Sequence, residues 1–136
     1  MLSGKSQIQK TVWAEFKEGF QVEIKYAARA LWADLAARSQ VRSWDAKARA
    51  EREVIDSTRW RRNIAETVVV GWRGLDAAVL KKLVLLDEYP EDVPFTVDDC
   101  VWLMAECAEF EGWIQTVASE AALYQAEKRA SEIKNS

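Results

Sequence analysis

The 136-residue sequence predicts a mainly α chain (α+β), an N-terminal β-hairpin followed by a bundle of about four to five helices. Three observations carry that expectation. Apolar residues alternate with polar ones over residues 11–26, a period of two. Beyond residue 28 the period lengthens to that of a helix. Three cap-like residues, Asp56, Asp76 and Thr96, then precede apolar-periodic stretches.

In the hairpin, Val12, Ala14 and Phe16 alternate with Trp13 and Glu15, and Phe20, Val22, Ile24 and Tyr26 alternate with Gln21, Glu23 and Lys25. Lys17-Glu18-Gly19 lies between them, with a glycine able to take the left-handed conformation of a three-residue loop. The expected strands are 11–16 and 20–26. Ala28, Leu31, Trp32 and Leu35 mark a helix over 28–39. Val41-Arg-Ser-Trp44 breaks that pattern. Asp45 to Arg52 is charged and alanine-rich, which suits either a solvent-exposed helix or a mobile connection.

Trp60, Ile64, Val68 and Trp72 recur every fourth residue and predict the buried ridge of a helix over 57–71. Gly71 and Gly74 bracket Trp72-Arg73 and permit a chain reversal. Asp76 caps a short helix from Ala77 to about Leu86, with Leu75, Val79, Leu83 and Leu86 inward. The acidic loop Asp87 to Pro94 holds two prolines. Thr96 is the strongest N-cap, with Asp99 three residues on and Phe95 and Cys100 at the staple positions. The last helix carries Cys100, Val101, Leu103, Met104 and Cys107, kinks or restarts around Gly112, and continues through Phe110, Trp113, Ile114, Val117, Ala121 and Tyr124. The chain reads as one domain, 1–136, with a hairpin at 11–26, a helical part at 28–125, and loose ends at 1–10 and 126–136.

Composition narrows the function. Hydrophobic content of 49% beside 30% charged residues is that of a soluble globular protein, and the longest apolar runs are too short to span a bilayer. A histidine count of 0 removes the commonest general base and, with two cysteines, leaves no recognisable zinc set. Cys100 and Cys107 lie seven residues apart on one expected helix, about 10 Å along its axis, too far to bridge. Carboxylate pairs such as Asp98/Asp99, Glu91/Asp92 and Glu106/Glu109 read as a cap, a solvated loop and an exposed turn. No nucleophile motif or phosphate loop is present, so neither catalysis nor a cofactor is expected.

Charge is uneven: residues 1–62 hold 13 Lys/Arg against 8 Asp/Glu, a net of +5, and residues 63–136 hold 6 against 14, a net of −8. Such halves suit solvated helix faces, or pairing within the molecule or between copies of a homo-oligomer. Arg59-Trp-Arg-Arg62 with Arg49 and Arg52 is a candidate phosphate-contacting patch, which the overall acidity argues against. Seven tryptophans imply a Trp-rich core or an aromatic partner surface. Trp102, Phe110, Trp113 and Tyr124 are the candidate partner-binding residues, and Trp72, Gly74, Leu75, Phe95 and Thr96 the structural motif.

A hairpin ending in Val22-Glu-Ile-Lys-Tyr26, then a helix, then Glu-x-x-Val-x-x-Trp-x-Gly-Leu from Glu66 to Leu75, then Pro94-Phe95-Thr96 opening an aromatic-rich helix, resembles the tail assembly chaperones of tailed bacteriophages in order. The resemblance spans residues 12–124, with one departure: Gly71 stands where that family commonly has Asp before the Trp. It implies a non-enzymatic protein of the host bacterial cytoplasm, absent from the mature virion, that keeps the tape measure protein soluble and helps recruit tail tube protein subunits. Some such chaperones also have a frameshift-extended form. It implies no nucleic-acid or membrane partner. The alternatives are a structural tail or head-completion component, or a small DNA-associated regulator using the Arg49–Arg62 face.

Overall fold

The computed structural model describes residues 10–125. The expected loose ends, 1–10 and 126–136, lie outside them except for Lys10. Ten elements follow in order: β1 (Thr11–Lys17), β2 (Phe20–Lys25), α1 (Arg29–Arg38), β3 (Gln40–Asp45), β4 (Ala50–Ile55), α2 (Ser57–Thr67), β5 (Val69–Arg73), α3 (Ala77–Leu83), α4 (Val97–Glu106) and α5 (Ala108–Ser119). A short helical segment over 121–125 ends the described chain.

The expectation of a helix bundle behind one hairpin is corrected here. Of the described residues 47% are helix and 28% strand, and the strands form two antiparallel sheets, so the fold is mixed α+β. One sheet has the order β1-β2-β5, and the other is the β3-β4 pair alone. Two stretches expected as helix or connection are strand.

The first is 69–73. The helix expected over 57–71 stops at Thr67, where Thr67-Val-Val-Val70 stacks four β-branched residues of low helix propensity. The chain turns at Val68 and pairs with β2, Trp72 facing Val22 and Gly71 facing Glu23. A register shift beside Val70 makes a bulge, with Val69 and Trp72 buried while Val70 is exposed. Trp72 therefore belongs to a strand, not to a helical ridge with Trp60 and Ile64.

The second is 40–55. β3 and β4 pair from Gln40↔Ile55 to Asp45↔Ala50. Asp45 organises the turn: its carboxylate accepts from the Lys47 and Ala48 amides at 2.9 and 3.2 Å and from Arg52 Nη1 at 2.9 Å. These bonds hold the Asp45 carboxyl below the usual range, the Ala48 amide first, then Arg52 and Lys47. The helix propensity of this alanine-rich stretch is overridden.

The core lies between the inner face of the three-stranded sheet and α2, α4 and α5. Phe20, Val22 and Ile24 point inward on alternate positions of β2. They meet Ile64, Leu103, Phe110 and Ile114, all essentially inaccessible. Aromatic rings knit the layers: Phe20 stacks on Phe110 at 5.8 Å and meets Trp72 edge-on at 5.7 Å. Phe95 meets Trp72 at 5.0 Å. The Ala27 amide donates to Ala118 O at 2.8 Å, tying the end of β2 to α5.

Gly74 sits where two backbones touch. Its φ is +81°, and a Cβ there would lie 1.8 Å from the Gly19 carbonyl oxygen in the β1–β2 turn. No other residue fits that approach. The α4–α5 break also differs from expectation: it falls at Cys107 (φ −126°, ψ 95°), and Gly112 stays helical. Glycine permits a kink and does not compel one. Cys100 within α4 and Cys107 at the break are both buried free thiols, and burial pushes the Cys100 thiol up to about 12.

Candidate functional site

α3 and α4 are each started by a side chain that satisfies an orphan amide. Asp76 accepts from Val79 N at 2.9 Å and Thr96 from Asp99 N at 3.0 Å. Between them, residues 84–96 fold back instead of extending α3 to Leu86. The Tyr89 hydroxyl donates to Val84 O at 2.9 Å and accepts from Leu86 N at 3.0 Å. The Val93 amide donates to Leu75 O at 2.9 Å, and Trp72 Nε1 donates to Val93 O at 2.8 Å. The loop is thereby fastened to the end of β5.

This fold-back leaves a cleft of about 430 Å³ between α3, the loop and α4. Trp72, Leu75, Leu80 and Leu103 are its buried floor. Leu86, Pro90, Val93 and Pro94 form one side, and Trp102, 38% exposed, stands at the mouth. Leu85 beside the cleft is 95% exposed, the most solvated large apolar side chain among the described residues. Asp92 and Asp99 line the cleft, and Asp87, Glu88 and Glu91 continue the acidic rim. Among the described residues none of these five carboxylates is in an ion pair. The cleft suits an apolar group flanked by cations.

The candidate partner-binding residues divide. Trp102 lines the cleft. Trp113 is half-buried against Phe16 at 4.9 Å and Phe110 at 6.1 Å. Phe110 is fully buried, and Tyr124 is 4% exposed, its hydroxyl donating to Ile24 O at 3.3 Å. Burial pushes the Tyr124 phenol well above its ordinary value, with Tyr26 adding to it. These last two rings are core and offer a partner nothing. Of the structural motif, Trp72 and Leu75 are cleft floor, Phe95 packs on Trp72, Thr96 caps α4, and Gly74 makes the contact with Gly19. Leu85 and Leu86 were not anticipated as a surface feature; Leu86 was expected to point inward from a longer helix.

The arginine face does not assemble into one patch. Arg61 pairs with Glu111 at 3.1 Å, Arg62 with Asp98 at 2.7 Å and with Glu66 at 3.8 Å, and Arg52 with Asp45. Asp98 holds the Arg62 guanidinium above its ordinary value. Among the described residues no group of three or more His, Cys, Asp or Glu side chains converges in a way that could hold a metal ion, and no helix is long and apolar enough to cross a membrane.

A family model described as YdaY prophage protein matches residues 17–135. The chain belongs to that family. It is a phage-derived protein, and the match covers both the β3–β4 hairpin and the cleft. It does not single out the tail assembly chaperones that the motif order resembles. No curated protein and no solved structure matches the chain.

Proposed function

We propose that this YdaY family protein is a non-enzymatic assembly chaperone that holds apolar helical segments of the phage tape measure protein in the acidic-rimmed cleft and helps recruit tail tube subunits. The observation that carries the reading is the cleft itself: an apolar floor with Trp102 partly in water among its lining residues, and with the exposed Leu85 next in the chain to the lining Leu86. Isolated exposed apolar residues are ordinary, but an exposed indole lining an apolar cleft suits a helix-binding groove. Prophage membership and the ordered motifs from Val22 to Met104 support the same reading. The protein then acts in the host cytoplasm and leaves before the virion is complete.

Burial of a helix face dominates affinity in such a groove, and the acidic rim selects helices flanked by Lys or Arg. Co-expression with the cognate tape measure protein should raise its soluble yield, and Leu85→Ser with Trp102→Ala should remove that gain while the fold persists. Mass spectrometry of purified particles should find the tape measure protein and not this one. No soluble complex, or a gain indifferent to both substitutions, would sink the reading.

A further inference from the structure

The β3–β4 arm takes no part in the core, yet it exposes Trp44 (65%), Ile55 (51%) and Val54 (43%). An isolated two-stranded hairpin is marginal in water, and the extensive contacts of β3 and β4 among the described residues are with each other. Its base is fastened where the Asp56 amide donates to Ser39 O at 2.9 Å and Asn63 Nδ2 to Ser39 Oγ at 2.8 Å. Its six-residue strands reach about 20 Å from that base.

Charges along the arm largely cancel, Arg42 pairing with Glu51 and Arg52 with Asp45. Of the charges left over, Glu53 lies back along β4 opposite Arg42, while Lys47 and Arg49 sit at the turn, neither in an ion pair among the described residues. Arg49 adopts φ +51°, a left-handed conformation that turns ordinarily give to Gly or Asn. The tip therefore presents an indole beside two cations. The cleft presents an apolar floor beside unpaired carboxylates. Both surfaces lie on the same chain, and each supplies what the other lacks.

We infer that the arm of one copy seats in the cleft of a second, with Trp44 against Trp102 and the apolar floor and with Lys47 and Arg49 facing Glu91, Asp92 and Asp99. Reciprocal exchange of two arms about a two-fold axis closes the assembly as a dimer. A nucleic acid is the poorer occupant of the arm. Residues 40–55 carry Arg42, Lys47, Arg49 and Arg52 against Asp45, Glu51 and Glu53, a net of only +1 on a chain of net −3. A client helix competes with the arm for the cleft, but self-association is measured on client-free protein, so its failure leaves the chaperone reading standing.

Sedimentation velocity tests the exchange by charge reversal. The wild-type protein should sediment as a dimer. Lys47→Glu with Arg49→Glu, all in an exposed turn, should give monomers, and so should Glu91→Lys with Asp92→Lys, placed on the loop to spare the first turn of α4. Mixing the two monomeric variants should restore the dimer, because each reversed tip then meets a reversed cleft. Trp44→Ala should weaken the dimer at least about tenfold, with unchanged circular dichroism. A monomeric wild type, variants that still dimerise alone, or a mixture that stays monomeric would each overturn the inference.

Discussion

The β1–β2 hairpin in the body of the molecule and the β3–β4 arm are built from the same secondary structure and held by different physics. In β2, every second residue is buried; in β4, all six are exposed. The β1–β2 hairpin is clamped by β5, α5 and the Gly19–Gly74 contact. The β3–β4 hairpin has one anchored end and a turn built on Asp45. Burial stabilises the body, and local hydrogen bonds shape the arm, so substitutions in the two regions should differ in kind.

The largest effects belong to the aromatic centre. Phe110→Ala and Trp72→Ala should each cost about 3–5 kcal/mol in denaturant unfolding, the latter also leaving Val93 O without its indole donor. Gly74→Val should cost roughly 2–5 kcal/mol, combining a positive φ with a clash against the Gly19 carbonyl. Thr96→Ala removes the α4 cap and should cost about 1 kcal/mol. In the arm, Val54→Ser should change monomer stability by less than about 0.5 kcal/mol. A cost in the arm comparable to that in the body would erase the distinction.

The same contrast explains what the sequence made legible. The β1–β2 hairpin, the caps at Asp56, Asp76 and Thr96, and the aromatic identity of the core follow from alternation and cap chemistry. β5 was hidden by its bulge: with Val69 and Trp72 both buried, strict alternation is lost, and the four-residue spacing from Val68 to Trp72 imitates a helix. The arm was hidden because none of its strand residues is buried, so no periodic signal exists, while Ala46 to Arg52 has the composition of a helix. The cleft draws on β5, α3, the 84–94 loop and α4, and its shape depends on α3 ending at Leu83, which no cap residue announces. Phe110 and Tyr124 look like partner residues in sequence only because an aromatic stripe does not declare which side is covered.

Two smaller tests sharpen the comparison. The buried Cys100 thiol, with its raised pKa, should resist alkylation at neutral pH until the body unfolds, so labelling should track global denaturation. In the arm, the Asp45 carboxyl has a lowered folded value. Its contribution is therefore present above the ordinary Asp range and lost as pH falls through the depressed value. The Lys47 and Ala48 amide resonances should titrate with that carboxyl, with little change in the core amides of β2.

The most direct measurement is the unfolding free energy of a variant in which residues 41–54 are replaced by an Asn-Gly turn joining Gln40 to Ile55, which are already paired across the base. The division of labour described here predicts a cooperatively folded protein within about 1 kcal/mol of the wild-type monomer. An unfolded chain, or a loss comparable to that of Phe110→Ala, would show that the arm is part of the scaffold and contradict the account.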